Sequence, residues 1–99
     1  MSNLPIACSL SAADLRARTA DMARLGRDLV AVRRDGAAAE LRFAPGHAGA
    51  LRALAAAEAE CCPFLELRVT GDAVLTISAP ADAAPVVDEL VAAFEGGRA

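Results

Sequence analysis

Two segments that alternate apolar and polar residues around a central glycine–aspartate pair place the strongest constraint on the fold of this chain. These segments are residues 29–43 and residues 65–78, and a period of two around a turn dipeptide is typical of a β-hairpin. Apolar residues at helical spacing precede, separate and follow them, at about residues 11–25, 48–62 and 82–94. The sequence therefore predicts an α+β fold in the order α-β-β-α-β-β-α. The two hairpins form a four-stranded antiparallel sheet, and the helices pack on one face of that sheet.

In the first hairpin, Asp35 and Gly36 predict a two-residue turn of type I′. Such a turn pairs Val32 with Ala39, and the alternation of the strands then leaves a single apolar face. That face consists of Val30, Val32, Ala39, Leu41 and Phe43, whereas Arg33 and Glu40 fall on the other face.

In the second hairpin, a two-residue turn at Gly71 and Asp72 would divide the apolar residues between both faces of the sheet. A loop with an odd number of residues keeps them on one face, because the side chains of a strand alternate with a period of two. We therefore predict a three-residue connection or a bulge, with Leu67 opposite Ile77 or Leu75.

Glycine and proline mark the predicted helix limits. Gly26 is a stop for the first helix, Pro63 forbids continuation of the second, and the third tolerates Pro85 in its first turn and ends at Gly96 and Gly97. The predicted buried stripes are Leu15, Thr19, Met22 and Leu25 in the first helix, Leu51, Leu54, Ala55 and Glu58 in the second, and Val86, Val87, Leu90, Val91 and Phe94 in the third.

Composition excludes several classes of function. The 99 residues suit a single domain, residues 1–99. A net charge of −3 and the lack of Trp and Tyr argue against direct binding of nucleic acid. No uncharged stretch reaches the roughly 18 residues of a membrane span, and the first residues do not resemble a signal peptide. Three cysteines, an odd number without an export signal, predict free thiols in a reducing cytoplasm.

The most distinctive motif is Glu60-Cys61-Cys62-Pro63-Phe64, which puts two adjacent cysteines at the end of a helix. Consecutive Cα atoms lie about 3.8 Å apart, less than a disulfide usually spans, so we expect free thiols rather than a Cys61–Cys62 bond. The negative end of the helix dipole and the nearby carboxylates disfavour a bare thiolate. His47 is predicted about 20 Å away at the other end of the helix. These positions argue against a cysteine–histidine nucleophile.

A bound cation reverses this electrostatic argument, because it deprotonates thiols and is favoured by acidic surroundings. Thiolates select soft ions, so we expect Hg(II), Cu(I) or As(III) before Zn(II). Cys8, in an extended segment ahead of the first helix, supplies a third sulfur. The predicted metal ligands are Cys8, Cys61 and Cys62.

Glu58 lies on the apolar side of the same helix, three and four positions before the two cysteines. A salt bridge to an arginine is its expected role, ahead of metal ligand or proton donor. As a proton donor, Glu58 would assist cleavage of a carbon–metal bond whose metal the thiolates hold.

Three segments resemble a family of small, mostly uncharacterised bacterial proteins that are common in actinobacteria. The segments are Ile6–Leu15, Glu60–Phe64 with its Cys-Cys-Pro-Phe motif, and Ile77–Pro80. Members of the family occur alone or as a tail following MerR-type regulators of metal or stress response. The resemblance implies sensing of a metal or thiol-reactive ligand by the three cysteines, with a MerR-type regulator as partner.

The sequence leaves three functions open. The first and favoured one is a cytoplasmic protein that binds a soft metal or metalloid ion, for resistance, storage or sensing. The second is a thiol-dependent enzyme for organometal cleavage or redox chemistry, which the electrostatics of the helix end disfavour. The third is a non-catalytic module that binds a partner or forms a homodimer, through the sheet edges or through an outer face that carries Arg33, Glu40, Arg42, Glu66 and Arg68.

Overall fold

The structure, a computed structural model, describes residues 12–98, with side chains from residue 16 onward except that of residue 61. The elements are α1 (Ala12–Gly26), β1 (Leu29–Asp35), β2 (Ala38–Phe43), α2 (Ala48–Cys61), β3 (Glu66–Thr70), β4 (Val74–Ser78), a 3-10 turn (Ala81–Ala83) and α3 (Ala84–Glu95). The predicted α+β class and order of elements are confirmed. One antiparallel sheet has the strand order β1-β2-β4-β3, so the two hairpins meet along β2 and β4. Within residues 12–98, no helix combines the length and apolar character needed to cross a membrane.

The first hairpin has a different turn from the predicted one. Asp35 pairs with Ala38, so the loop residues are Gly36 and Ala37. Gly36 has a φ of 61°, and no described residue other than glycine has a positive φ. This is the sign pattern of a type II′ turn, in which only the first central residue requires a positive φ, and the type I′ prediction is therefore wrong. The register moves by two residues, a shift that by itself leaves each side chain on its predicted face.

A β-bulge at the start of β1 reverses one side chain. The register shifts between Leu29, which lies opposite Phe43, and Ala31, which lies opposite Arg42. The prediction that Val30 faces the core is wrong, because the extra residue of a bulge interrupts the alternation of a strand. Val30 is 59% exposed, and Leu29 is buried in its place.

The second hairpin agrees with its prediction. Leu67 lies opposite Ile77, and Thr70 lies opposite Val74, which leaves residues 71–73 as a three-residue loop. Gly71 in this loop has a φ of 60°, a conformation that glycine adopts without steric cost. Of the two predicted connections the three-residue loop is present, and of the two predicted registers the structure has the one with Ile77.

One face of the sheet forms the core together with the three helices. Its central residues Leu41, Leu75 and Ile77 are fully buried, and α3 covers them with Val87, Val91 and Phe94. Phe94 also contacts Phe43 edge to face, with ring centroids 5.6 Å apart. The residues of the predicted buried stripes of the three helices are buried or half-buried wherever their side chains are described, with one exception. Thr19 is exposed, because α1 packs mainly against α3 rather than on the sheet.

Two glycines allow α1 and α3 to approach each other closely. A Cβ atom on Gly26 would overlap with the carbonyl oxygen of Phe94, and one on Gly97 would overlap with the carbonyl oxygen of Ala23. The ends of the two helices therefore touch through their backbones. Gly26 was predicted as a helix stop, and this contact adds a packing reason for glycine at the position.

Gly26→Ala is expected to destabilise the fold by about 1–3 kcal/mol, because the added methyl group must push α1 and α3 apart. Gly49→Ala is the matched control. Gly49 lies in α2, and a Cβ atom added there would meet no packing neighbour within 4 Å, so the same substitution should be neutral or stabilise by up to about 1 kcal/mol. Urea unfolding followed by circular dichroism measures both. Equal effects of the two substitutions would contradict the close-packing argument.

Candidate functional site

The end of α2 carries the most unusual buried groups of the described chain. Its apolar side buries Leu51, Leu54 and Ala55, as predicted, and continues into Glu58 and Cys62, which are 4% and 1% exposed. The helix ends just before Pro63, as the proline predicts. A turn follows, in which the amide of Leu65 donates to the carbonyl of Cys62 at 2.9 Å. The amide of Cys62 donates to the carbonyl of Glu58 at 2.7 Å.

Glu58 forms an ion pair with an arginine, the role the sequence favoured. Nη1 of Arg18 lies 2.9 Å from Oε2 of Glu58, and the two side chains are 19% and 5% exposed. A buried carboxylate needs such a partner, because charge is costly to remove from water. The ion pair is an interaction of the ionised carboxylate, so it competes with use of Glu58 as a proton donor.

Cys62 is disulfide-bonded in the structure. The expectation of a free thiol is therefore wrong for this residue, and its bonding partner lies outside the described side chains. Cysteine count and helix-end electrostatics were the grounds for that expectation. The number of cysteines and the charge at a helix end do not determine whether tertiary packing brings a second sulfur within bonding distance. The disulfide was therefore not predicted.

The predicted three-cysteine metal site extends beyond what the structure describes. Cys8 lies outside the described residues, and the side chain of Cys61 is also outside them. Among the side chains that are described, no three His, Cys, Asp or Glu residues form a group suited to a metal ion. The metal site therefore stays a prediction.

His47 lies at the opposite end of α2 from Cys62, as the sequence predicted. It precedes the first residue of α2, a helix of 14 residues or about 21 Å in length. Its Nε2 atom lies 2.7 Å from Oδ2 of Asp28, just after α1. His47 therefore joins the end of α1 to the start of α2, and it is at the opposite end of α2 from Cys62.

These two contacts set the direction of α1 relative to α2. Asp28 after α1 meets His47 before α2, while Arg18 within α1 meets Glu58 near the end of α2. The two helices are therefore antiparallel. The beginning of α1 at Ala12 is directed towards the end of α2, where Cys62 lies.

An open cleft of about 640 Å³ separates the two helices between these contacts. The cleft was not among the predicted sites, although the small residues on α2 next to its buried stripe are a recognisable sequence signal for it. Each basic side chain of the cleft contacts a carboxylate. Arg24 pairs with Asp21, and Arg18 and His47 make the contacts with Glu58 and Asp28 described above. The cleft is lined by Arg18, Asp21, Arg24, Leu25, His47, Ala50, Ala53, Leu54 and Ala57.

No protein-family model matches this chain, and no curated protein matches it at a significant level.

Arg18→Met is expected to destabilise the fold by about 3–5 kcal/mol, because Glu58 then stays buried without its cation. The double variant Arg18→Met/Glu58→Leu should recover most of that loss, since two apolar side chains of similar volume replace the pair. Urea unfolding of the wild type, both single variants and the double variant gives the coupling energy between the two residues. Additive effects in this cycle would show that the ion pair does not hold α1 to α2.

Proposed function

We propose that this chain, when reduced, binds one soft metal or metalloid ion through cysteine thiolates, with Cys8, Cys61 and Cys62 as the ligand set. The observation that carries the proposal is the disulfide at Cys62. A disulfide requires a second sulfur about 2 Å from the first. Reduction therefore leaves two thiols close enough to share an ion, at metal–sulfur distances of about 2.3 Å.

The direction of α1 supports Cys8 as the second sulfur. The beginning of α1 at Ala12 is directed towards the end of α2. Cys8 precedes Ala12 by four residues, which an extended chain spans in at most about 14 Å. A bond between the adjacent Cys61 and Cys62 is less favourable, because their Cα atoms are closer than a disulfide prefers.

The surroundings of Cys62 favour a cation. The carbonyl end of α2 carries the negative pole of the helix dipole, and Glu60 is exposed on its last turn. His47 is held by Asp28 at the other end of α2, so this chain supplies no imidazole to complete a tetrahedral zinc site. The proposed ligand set of thiolates suits Hg(II), Cu(I) or As(III) ahead of Zn(II).

The biological setting we propose is the reducing cytoplasm, where cysteines are kept as thiols. In that setting the chain would serve metal resistance, storage or sensing. The resemblance to proteins that follow MerR-type regulators favours sensing, with such a regulator as the partner.

The same disulfide favours a second candidate, a thiol–disulfide enzyme. Burial of Cys62 opposes it, because a protein substrate has little access to a sulfur of a residue that is 1% exposed. A thiol–disulfide enzyme would accelerate the reduction of a protein disulfide by a small dithiol, and we expect no acceleration above the uncatalysed rate. Organometal cleavage with Glu58 as proton donor has less support, since Arg18 holds the carboxylate.

The reduced protein is expected to bind Hg(II) or Cu(I) at close to one equivalent, and the oxidised protein is expected to bind neither at Cys62. After removal of the reductant under anaerobic conditions, titration followed by sulfur-to-metal charge-transfer absorption measures the stoichiometry. Cys62→Ser should weaken binding by orders of magnitude, because a hydroxyl group is a poor ligand for a soft ion.

Met22→Leu is the control for this titration, since it removes another buried sulfur and keeps the size of the side chain. Its binding should equal that of the wild type. Circular dichroism checks that Cys62→Ser is folded. A folded Cys62→Ser protein with wild-type affinity would refute the proposal, and the same result for Cys8→Ser would remove Cys8 from the ligand set.

A further inference from the structure

The outer edge of β3 lacks the protection that the other edge of the sheet has. The strand order makes β1 and β3 the edge strands. At β1, a bulge interrupts the strand, and Arg98 donates a hydrogen bond of 2.9 Å to the carbonyl of Val30. Both features discourage pairing with another chain. The five residues of β3 pair with β4 without a bulge, and no described side chain donates a hydrogen bond to their backbone.

Two opposite charges on β3 lack a charged neighbour across the hairpin. Glu66 and Arg68 are exposed on the outer face of the sheet. Their cross-strand neighbours on β4 are Ser78 and Thr76, both uncharged. Within the described part of the chain, neither Glu66 nor Arg68 forms an ion pair.

The charges of β3 are complementary to those of a second copy of the same strand. Two antiparallel copies related by a two-fold axis at Leu67 place Glu66 of each copy opposite Arg68 of the other. An axis at Glu66 or at Arg68 would place like charges opposite each other, and an axis at Val69 would pair Arg68 with an uncharged threonine. A two-fold axis that falls between two neighbouring residues of β3 would pair each residue with one whose side chain points to the other face of the sheet, which a regular antiparallel pair does not allow. The register centred on Leu67 is therefore the one that forms two ion pairs.

The apolar side of β3 and the helix above it fit the same arrangement. Leu67 is half-buried on the face that the helices cover, and in this register it meets Leu67 of the other copy. Arg52 of α2 donates to the carbonyl of Gly71 at the end of β3, so α2 lies above this edge strand. Ala56 and Ala59 follow Arg52 by four and seven positions, so they lie on the same side of α2, and both are small and exposed.

We propose that this chain forms a two-fold homodimer in which β3 pairs antiparallel with β3 of a second copy, centred on Leu67. The two sheets join into one sheet of eight strands. Two Glu66–Arg68 ion pairs lie on its outer face, and the Leu67 pair lies on its helix face. This interaction uses none of the cysteines, so it holds whether or not the chain binds a metal.

Sedimentation equilibrium of the full chain tests this dimer, with non-reducing electrophoresis of the same samples to exclude disulfide-linked species. Arg68→Glu and Glu66→Arg should each weaken self-association on the order of tenfold to a hundredfold, because each variant opposes like charges twice. An equimolar mixture of the two variants should form a heterodimer of wild-type strength, since every opposed pair is then complementary. Arg42→Glu is the control: this residue is exposed on the outer face of β2, an inner strand, and its reversal should leave association unchanged.

A wild-type chain that stays monomeric up to its solubility limit would overturn the proposal. A dimer that both single variants keep would also overturn it, because another surface must then mediate association. A mixture that associates no better than the separate variants would reject the register centred on Leu67. Circular dichroism of each variant confirms that a loss of association is not a loss of folding.

Discussion

The ion pair between Arg18 and Glu58 is the interaction on which the arrangement of α1 and α2 depends. Glu58 is a carboxylate in the apolar side of a helix, and its burial requires a cation. Arg18 satisfies it from α1 while its own side chain keeps some contact with solvent. With the His47–Asp28 contact at the other end, the pair makes the helices antiparallel across an open cleft. This direction turns the beginning of α1 towards the end of α2 that carries Cys62.

The alternation of the strands predicted most of the fold, and its failures have local causes. In the second hairpin, parity excluded a two-residue loop, and the observed loop has three residues. In the first hairpin, parity is unaffected by a shift of two residues, so it could not distinguish a turn at Asp35 and Gly36 from one at Gly36 and Ala37. The bulge at Val30 adds one residue to β1, and the alternation of a strand does not report where such a residue is inserted.

The candidate site was predictable in its chemistry and only partly in its connections. The sequence identified the end of α2, the burial of Glu58 and an arginine as its partner, because a carboxylate on an apolar stripe needs a cation. It did not identify Arg18, which lies 40 residues away along the chain, since such pairing depends on helix packing. The bond at Cys62 escaped prediction for the same reason, because disulfide formation depends on the approach of two distant backbones.

The electrostatic surroundings of Cys62 also bear on its disulfide. The end of α2 is acidic and carries the negative pole of a helix, which disfavours a bare thiolate at Cys62. A disulfide removes that charge by a covalent bond, and a bound soft cation would remove it by coordination. The same surroundings thus favour both states over the free thiolate. In the function we propose, the redox potential of the compartment and the supply of a soft ion decide which state forms, and the helix end accepts either one.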